Sequence, residues 1–359
     1  MRRAVSRAGL SCLCLCVSAA LPAAPTPRLD YDLAGVADEQ APQEASASKT
    51  SGNEAIDPAA AERQEMRGGS YLTLDLGVVY DSNFTNQTGL HAVDVIFDGE
   101  TVPIELDPAF RRREGFGQSV GVTGGLRLPV APSVAAAIDA DAQYANYPGE
   151  AGDDLTLLLA AGPELTSGQS RGALQLFGFE RRYGGVTANE AIGVRGRYQQ
   201  PAGGGWLYLY VDGRVFESGY GEAFDGSLAS AYLTYEKLVD PAVSVSFTAY
   251  GRREWIRDDA FSNIDFGIYG GPSAFLSSGI KGGFSAGLSR AAFDSPLFFY
   301  SPLPRRDWRY SFYVWLMPRK AIGPGLWPML SYGYTRTDSS LQFYRTDRHR
   351  LRLSVARYW

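Results

Sequence analysis

Residues 204–217 read Gly204-Gly205-Trp206-Leu207-Tyr208-Leu209-Tyr210-Val211-Asp212-Gly213-Arg214-Val215-Phe216-Glu217. Leu207, Leu209, Val211 and Val215 share one parity, and Tyr208, Tyr210, Asp212 and Arg214 share the other. Successive side chains of an extended chain point to opposite sides, so this alternation marks a strand with one apolar and one polar face. The pattern recurs where Val243, Val245, Phe247 and Ala249 oppose Ser244, Ser246, Thr248, Tyr250 and Arg252. It recurs again where Val134, Ala136, Ile138 and Ala140 oppose Asp139, Asp141 and Gln143.

Outward from these stretches the text from Gly69 to Trp359 stays strand-like, without a convincing amphipathic helix. Fourteen segments emerge, at 70–80, 115–128, 133–147, 154–166, 171–183, 187–200, 204–217, 227–238, 242–254, 263–273, 278–290, 307–318, 326–338 and 346–359. They are long for soluble strands and adequate to cross a bilayer at a tilt. The connections after odd-numbered segments include long ones at 81–114, 218–226, 255–262 and 291–306. Those after even-numbered segments are short and rich in Pro and Gly, at 129–132, 167–170, 201–203, 239–241, 274–277 and 319–325. Long loops on one rim and tight turns on the other describe an all-β, antiparallel transmembrane barrel of bacterial outer-membrane type. The even strand count returns the C-terminus to the periplasm, beside the N-terminal tail. A secreted β-sandwich would alternate as well, but with shorter strands around a dry core. Tyr144, Tyr147, Tyr183, Trp206, Trp255, Trp308 and Trp327 lie near segment ends, as interfacial girdles would require.

Composition agrees. Of 359 residues, 13% are aromatic and 41 are Gly, against two His and three Cys. So few His and Cys leave little for a zinc site or a His-based catalytic centre. The net charge of −5 argues against a general nucleic-acid binder. Beyond the N-terminus no apolar run reaches the length of a membrane-spanning helix.

The first 24 residues read as a secretory signal peptide, with Arg2, Arg3 and Arg7 ahead of an apolar stretch ending in small residues. A lipoprotein signal with Cys12 as the modified residue is the rival, poorly matched by Gly9-Leu10-Ser11. Cys12, Cys14 and Cys16 all fall in this segment, so the mature chain carries no thiol and a net charge of −8. Residues 25–68 hold nine acids and four bases with few large apolar side chains, the composition of a disordered acidic periplasmic tail, either a tether or a plug. The barrel then occupies 69–359.

The chain ends on an alternating strand whose apolar parity carries Leu351, Leu353, Val355 and the terminal Trp359, similar to the signal read by the outer-membrane barrel insertion machinery. Arg357 departs from that pattern and would snorkel to headgroups. Trp327-Pro328-Met329-Leu330-Ser331-Tyr332-Gly333-Tyr334-Thr335-Arg336, with Asp338-Ser339, Tyr344 and Arg348-His349-Arg350-Leu351-Arg352-Leu353, resembles the last hairpin of the C-terminal barrel of surface lipoprotein assembly modifiers. Tyr80-Asp81-Ser82-Asn83 is similar to that barrel's opening, while Ser340 stands where an Asn would be expected. The resemblance implies a fourteen-strand barrel and a role in moving lipoproteins or other substrate proteins to the cell surface. Family members carry a periplasmic tetratricopeptide-repeat domain that residues 25–68 are too short to supply, which implies a separate periplasmic partner.

Inward-facing charges predicted by parity are Asp75, Arg127, Asp139, Asp141, Arg195, Arg197, Asp212, Arg214, Arg252, Glu254, Asp265, Lys281, Arg309, Arg350 and Arg352. They would either solvate and pair within a wet interior or form a substrate-guiding surface. Fourteen strands lie between small filled barrels and open porins, so a narrow lumen is expected. Residues 93–104 suggest a small hairpin around Asp98-Gly99, projecting outward or folding into the lumen. His91 and His349 belong to no readable nucleophile motif, and solvated loop acids are the plainer reading of Asp153-Asp154 and Asp258-Asp259 than calcium ligands. No enzyme activity and no cofactor are expected. Expected partners are outer-membrane lipids and lipopolysaccharide, the insertion machinery, a surface lipoprotein substrate and a periplasmic partner, with no nucleic acid. The alternatives are a porin-like channel for small solutes and a structural or adhesive surface barrel.

Overall fold

The computed structural model describes residues 70–359, except 98, 99, 148, 150–152, 277, 278, 299 and 324 and the side chains at 97 and 109. The leader at 1–24 and the tail at 25–68 lie outside the described residues. The alternating segments become β1 (Tyr71–Asp81), β4 (Gly115–Ala131), β5 (Val134–Asn146), β6 (Asp154–Ser167), β7 (Ser170–Tyr183), β8 (Val186–Ala202) and β9 (Gly205–Glu217). They continue as β10 (Gly226–Asp240), β11 (Val243–Ile256), β12 (Asn263–Phe275), β13 (Ile280–Phe293), β14 (Arg306–Pro318), β15 (Leu326–Ser339) and β16 (Thr346–Tyr358). A separate hairpin, β2 (Ala92–Phe97) and β3 (Glu100–Glu105), stands in the first long loop.

Each barrel strand pairs antiparallel with the next, and β16 returns to β1 to close a barrel of fourteen strands. The closing register runs from Thr73↔Tyr358 to Asp81↔Arg350. Closure leaves no free sheet edge, the condition for backbone polar groups to sit in hydrocarbon. Among the described residues the only helices are three-residue 3₁₀ turns, and none is long and apolar enough to cross a membrane.

One rim carries tight turns, at 132–133, 168–169, 203–204 and 241–242 among others. Gly203 and Gly204 take positive φ of 57° and 80°, the left-handed pair that a two-residue hairpin matching strand twist requires. The opposite rim carries the long connections, with one exception to the expected division. β7 and β8 are joined there by Gly184-Gly185, again with positive φ at both residues. The hairpin β2–β3 belongs to the long-loop rim: Val93 packs with Leu341, Phe343 and Tyr344, and Gln342 donates to Asp94 at 2.9 Å. β3 is exposed along its whole length, so the hairpin projects rather than folding into the lumen.

The two strand faces separate as the alternation requires. Leu76, Val78, Leu209, Phe247, Ile268 and Leu353 are exposed on the outside, whereas Thr73, Gln175, Thr248, Asp265 and Ser354 are buried on the inside. This inverts a soluble protein and suits a hydrocarbon solvent. The aromatic assignment divides. Tyr144, Trp255 and Trp308 face outward. Tyr147 and Trp327 are buried inside, Tyr183 donates inward to the Phe84 carbonyl at 3.1 Å, and Trp206 shares the parity of Asp212. Tyr and Trp suit either place because each has an apolar body and a polar tip. Arg357 lies over the Trp359 ring at 4.7 Å, on the outside next to the short-turn rim, where its head reaches the interface.

Candidate functional site

The fifteen charged residues expected inside are buried or half-buried, on the strand faces opposite the exposed apolar residues. The barrel sorts them into three groups.

The first covers the wall from β4 to β8 in the half nearest the short turns. Arg127 Nη2 lies 2.7 Å from Asp139, and its Nε lies 3.0 Å from Glu164. Arg195 and Arg197 reach the same Asp139 at 3.2 and 2.6 Å, while Arg171 lies 3.3 Å from Glu164. Gln175 bridges the group, donating to Asp139 at 2.6 Å and accepting from Arg195 at 2.8 Å. Alternating positions on adjacent strands face the same side, which is how residues 127, 139, 164, 175 and 195 meet. Asp141, one inward position along β5, bonds to Thr123 and Gln143 instead of an arginine. On β9, Asp212 takes Ser230 as its hydrogen-bond donor and lies 3.7 Å from Arg214.

The second group lies in the other half, on β11 to β14. Asp265 is 3.2 Å from Arg309 and 3.9 Å from Arg252, and Glu254 accepts from Asn263 at 3.0 Å. Lys281 sits apart near the short turns, its ammonium over the rings of Phe275 and Trp315 at 5.6 and 5.7 Å.

The third group spans the closure seam. Arg352 pairs with Asp75 in mid-strand. At the long-loop end Asp81 receives Arg348 at 2.5 Å, Arg350 at 3.4 Å and the Tyr147 hydroxyl at 3.2 Å. Asn83 donates through its backbone to Asp81 and through its side chain to the Asp347 carbonyl at 3.0 Å, and His349 N donates to Ser82 Oγ at 2.8 Å. The two chain-end motifs singled out in the sequence thus meet as one clasp over the first and last strands.

Asp81, Arg348, Glu164, Arg171 and Gln175 were not among the expected residues. Arg348 shares the parity of Arg350 and Arg352, and that signal could have found it.

Between Tyr313 and the short-turn rim the inner wall of β14 to β16 is apolar instead: Tyr313, Trp315, Met317, Trp327, Met329 and Ala356 form one buried cluster, flanked by Tyr358. Above the opposite rim Arg305 is buried against Asp307 at 2.7 Å and held between the rings of Phe293 and Tyr344, at 3.9 and 3.6 Å. Burial pushes the Tyr344 hydroxyl up to about 12 against the opposing pull of Arg305, and burial alone raises Tyr300 in the neighbouring loop. His349 faces outward, with Nδ1 2.8 Å from the Tyr332 hydroxyl. Among the described residues no group of His, Cys, Asp or Glu could hold a metal ion.

A closed barrel, apolar outside and ion-paired inside, is a membrane-spanning β-barrel of bacterial outer-membrane type. The family model for surface lipoprotein assembly modifiers matches residues 127–359, and the chain belongs to that family. Among solved structures it is similar to a loop-deletion mutant of OmpT, an outer membrane protein of Vibrio cholerae, at 8% identity and TM-score 0.42, covering 81% of this chain and 98% of that one. It is also similar to the outer membrane channel DcaP of Acinetobacter baumannii, at 10% identity and TM-score 0.42, covering 82% and 98%. The outer membrane protein OpdK of Pseudomonas aeruginosa shows 10% identity and TM-score 0.40, covering 81% and 99%. No curated protein matches the chain.

Proposed function

We propose that this barrel serves export or surface assembly of lipoproteins or other substrate proteins at the bacterial outer membrane. The family match over residues 127–359 carries the reading. The clasp built from both end motifs and the charged groups lining most of the inner wall support it, since a substrate segment in transit needs a closed wall and polar groups to replace its water. In this reading residues 1–24 direct secretion, the 25–68 tail and the C-terminus face the periplasm, and the long loops face outside. Outer-membrane lipid and lipopolysaccharide surround Leu209, Phe247 and their neighbours. The insertion machinery reads Leu351, Leu353, Val355 and Trp359. A surface lipoprotein is the substrate, and a separate periplasmic protein delivers it. The barrel works without catalysis or cofactor, and nucleic acid is not a partner.

The test is protease accessibility of lipoproteins on intact cells with and without the barrel gene. Loss of surface exposure of at least one lipoprotein, at unchanged total amount, supports export. Unchanged exposure of every surface lipoprotein sinks it. A lumen lined by charges of both signs also suits a porin-like channel for small solutes. Steady conductance of the purified barrel in planar bilayers, with lipoprotein display unaffected, would favour that second reading.

A further inference from the structure

The outer face of the barrel carries its charge unevenly at the long-loop rim. On β11, β13, β14 and β15, the outward positions within four residues of that rim include Arg253, Arg290, Arg306 and Arg336. Each shares the parity of an exposed apolar residue on its own strand: Trp255, Leu288, Trp308 and Leu330. On β7, β8 and β9 the outward positions near the same rim hold Glu180, Glu190 and Glu217, which register as Glu180↔Glu190 and Glu190↔Glu217. Arg182 on β7 is held by Glu180 at 2.6 Å. Snorkelling to an interface would explain an arginine anywhere on the rim, but not cations gathered on one arc and acids on another.

Acids only partly match the basic arc. Arg253 pairs with Asp294, and Arg336 lies 2.9 Å from Asp338. Asp347, the register partner of Arg336, is held by Arg112 at 3.0 Å. Arg290 and Arg306 have no acid within ion-pair distance among the described residues. The Arg290 guanidinium lies over the Trp308 ring at 5.4 Å, and its Nε is buried without a hydrogen bond. Arg290 registers with Trp308, and Arg306 stands two residues before Trp308 on the same face. Strands about 4.8 Å apart place Arg290, Arg306 and Arg336 within roughly 10 Å across the wall. Towards mid-barrel the same face turns apolar, with Leu288, Phe312 and Leu330 exposed.

We propose that Arg290, Arg306 and Arg336, grouped around Trp308, bind the phosphate-bearing headgroup of a bilayer lipid whose chains lie on the apolar wall beside them. A guanidinium fork matches phosphate oxygens in bidentate fashion, and a cation on the lipid side costs least at the interface. With the long loops outside, the lipid is a phosphorylated glycolipid of the outer leaflet. The site serves an exporter and a channel alike, and only the leaflet rests on the orientation proposed above.

Titration of the purified barrel in an uncharged detergent tests this, with diphosphoryl lipid A, its dephosphorylated form and inorganic phosphate as probes. Native mass spectrometry reads the bound lipid, and the unfolding temperature reads the stabilisation that binding confers. Diphosphoryl lipid A should bind and raise that temperature. Arg290→Gln combined with Arg306→Gln should weaken binding about tenfold or more, whereas Glu190→Gln with Glu217→Gln, on the acidic arc, should not weaken it. Should the double arginine variant fail to fold, Arg306→Gln alone reads the same direction, because that side chain is exposed. Equal binding of the dephosphorylated glycolipid, or parental affinity in the arginine variants, overturns the site. Inorganic phosphate binding as tightly as lipid A would make this a free-anion site and overturn the lipid. Micelles impose no orientation, so a failed titration refutes the site and leaves the orientation standing, and a reversed barrel would leave the titration standing.

Discussion

Asp81 has no exposure to solvent, accepts hydrogen bonds from Arg348 and Tyr147, and lies 3.4 Å from Arg350 where the first strand meets the last. Removing its charge leaves the half-buried Arg348 without its nearest anion, which is the costly way to break an internal ion pair. Asp81→Asn is therefore expected to destabilise the barrel by about 3 kcal/mol, read as a lower temperature for conversion of the folded to the unfolded band on gels. An unchanged transition would show that the clasp contributes nothing to closure. Neighbouring residues on one strand should behave oppositely when given the same charge. Phe247 points outward on β11 and Ser246 inward. Phe247→Arg places a guanidinium against lipid at a cost of roughly 2–4 kcal/mol if near the midplane, whereas Ser246→Arg adds one more cation to a charged interior. Assembly yields in outer membranes should drop markedly for the first and little for the second, and equal tolerance would invert the assignment of faces.

The strands were legible because a polar lumen and an apolar exterior force period two on nearly every one of them, and the structure moves their ends by no more than about three residues, the scale on which strand ends fray. Legibility failed where that forcing is weak. β6 begins Asp154-Leu155-Thr156-Leu157-Leu158-Leu159-Ala160, apolar on both faces, and so hid the inward parity that places Glu164 in the first charged group. Arg171 sits at the second residue of β7 and Asp81 at the last of β1, where alternation has too few neighbours to read. Trp206 and Trp327 carried the right parity, but position near a strand end outweighed it. The projecting hairpin makes its own prediction. Because β2–β3 stands on the long-loop rim and β3 is exposed, protease added to intact cells should cut within 82–114 and at 294–305 while sparing 203–204. Val93→Asp, which puts a charge among Leu341, Phe343 and Tyr344, should speed the first of these cuts. Cleavage confined to the short turns would reverse the orientation of the whole barrel.

At the scale of the molecule, the backbone and the side chains of the C-terminal strand make separate sets of contacts. Its backbone closes the barrel: Trp359 N donates to the Leu72 carbonyl at 2.9 Å, and Leu72 N donates back at 3.3 Å. Its side chains divide by parity, with Arg350, Arg352 and Ser354 turned into the lumen and Leu351, Leu353, Val355 and Trp359 turned outward. The outward set is available while the last strand is still unpaired, and it remains on the lipid-facing side after closure. Trp359 is 53% exposed, so few intramolecular contacts depend on it. Trp359→Ala should accordingly leave the seam register and the folded barrel's thermal stability close to those of the parent, because the hydrogen bonds to Leu72 use backbone atoms alone. If the insertion machinery reads the terminal aromatic, the same substitution should lower the amount of folded barrel reaching the outer membrane in cells, while refolding of purified chain into detergent micelles proceeds at the parental yield. A defect equal in cells and in detergent would place Trp359 in folding rather than in recognition, and no defect in either would remove it from both.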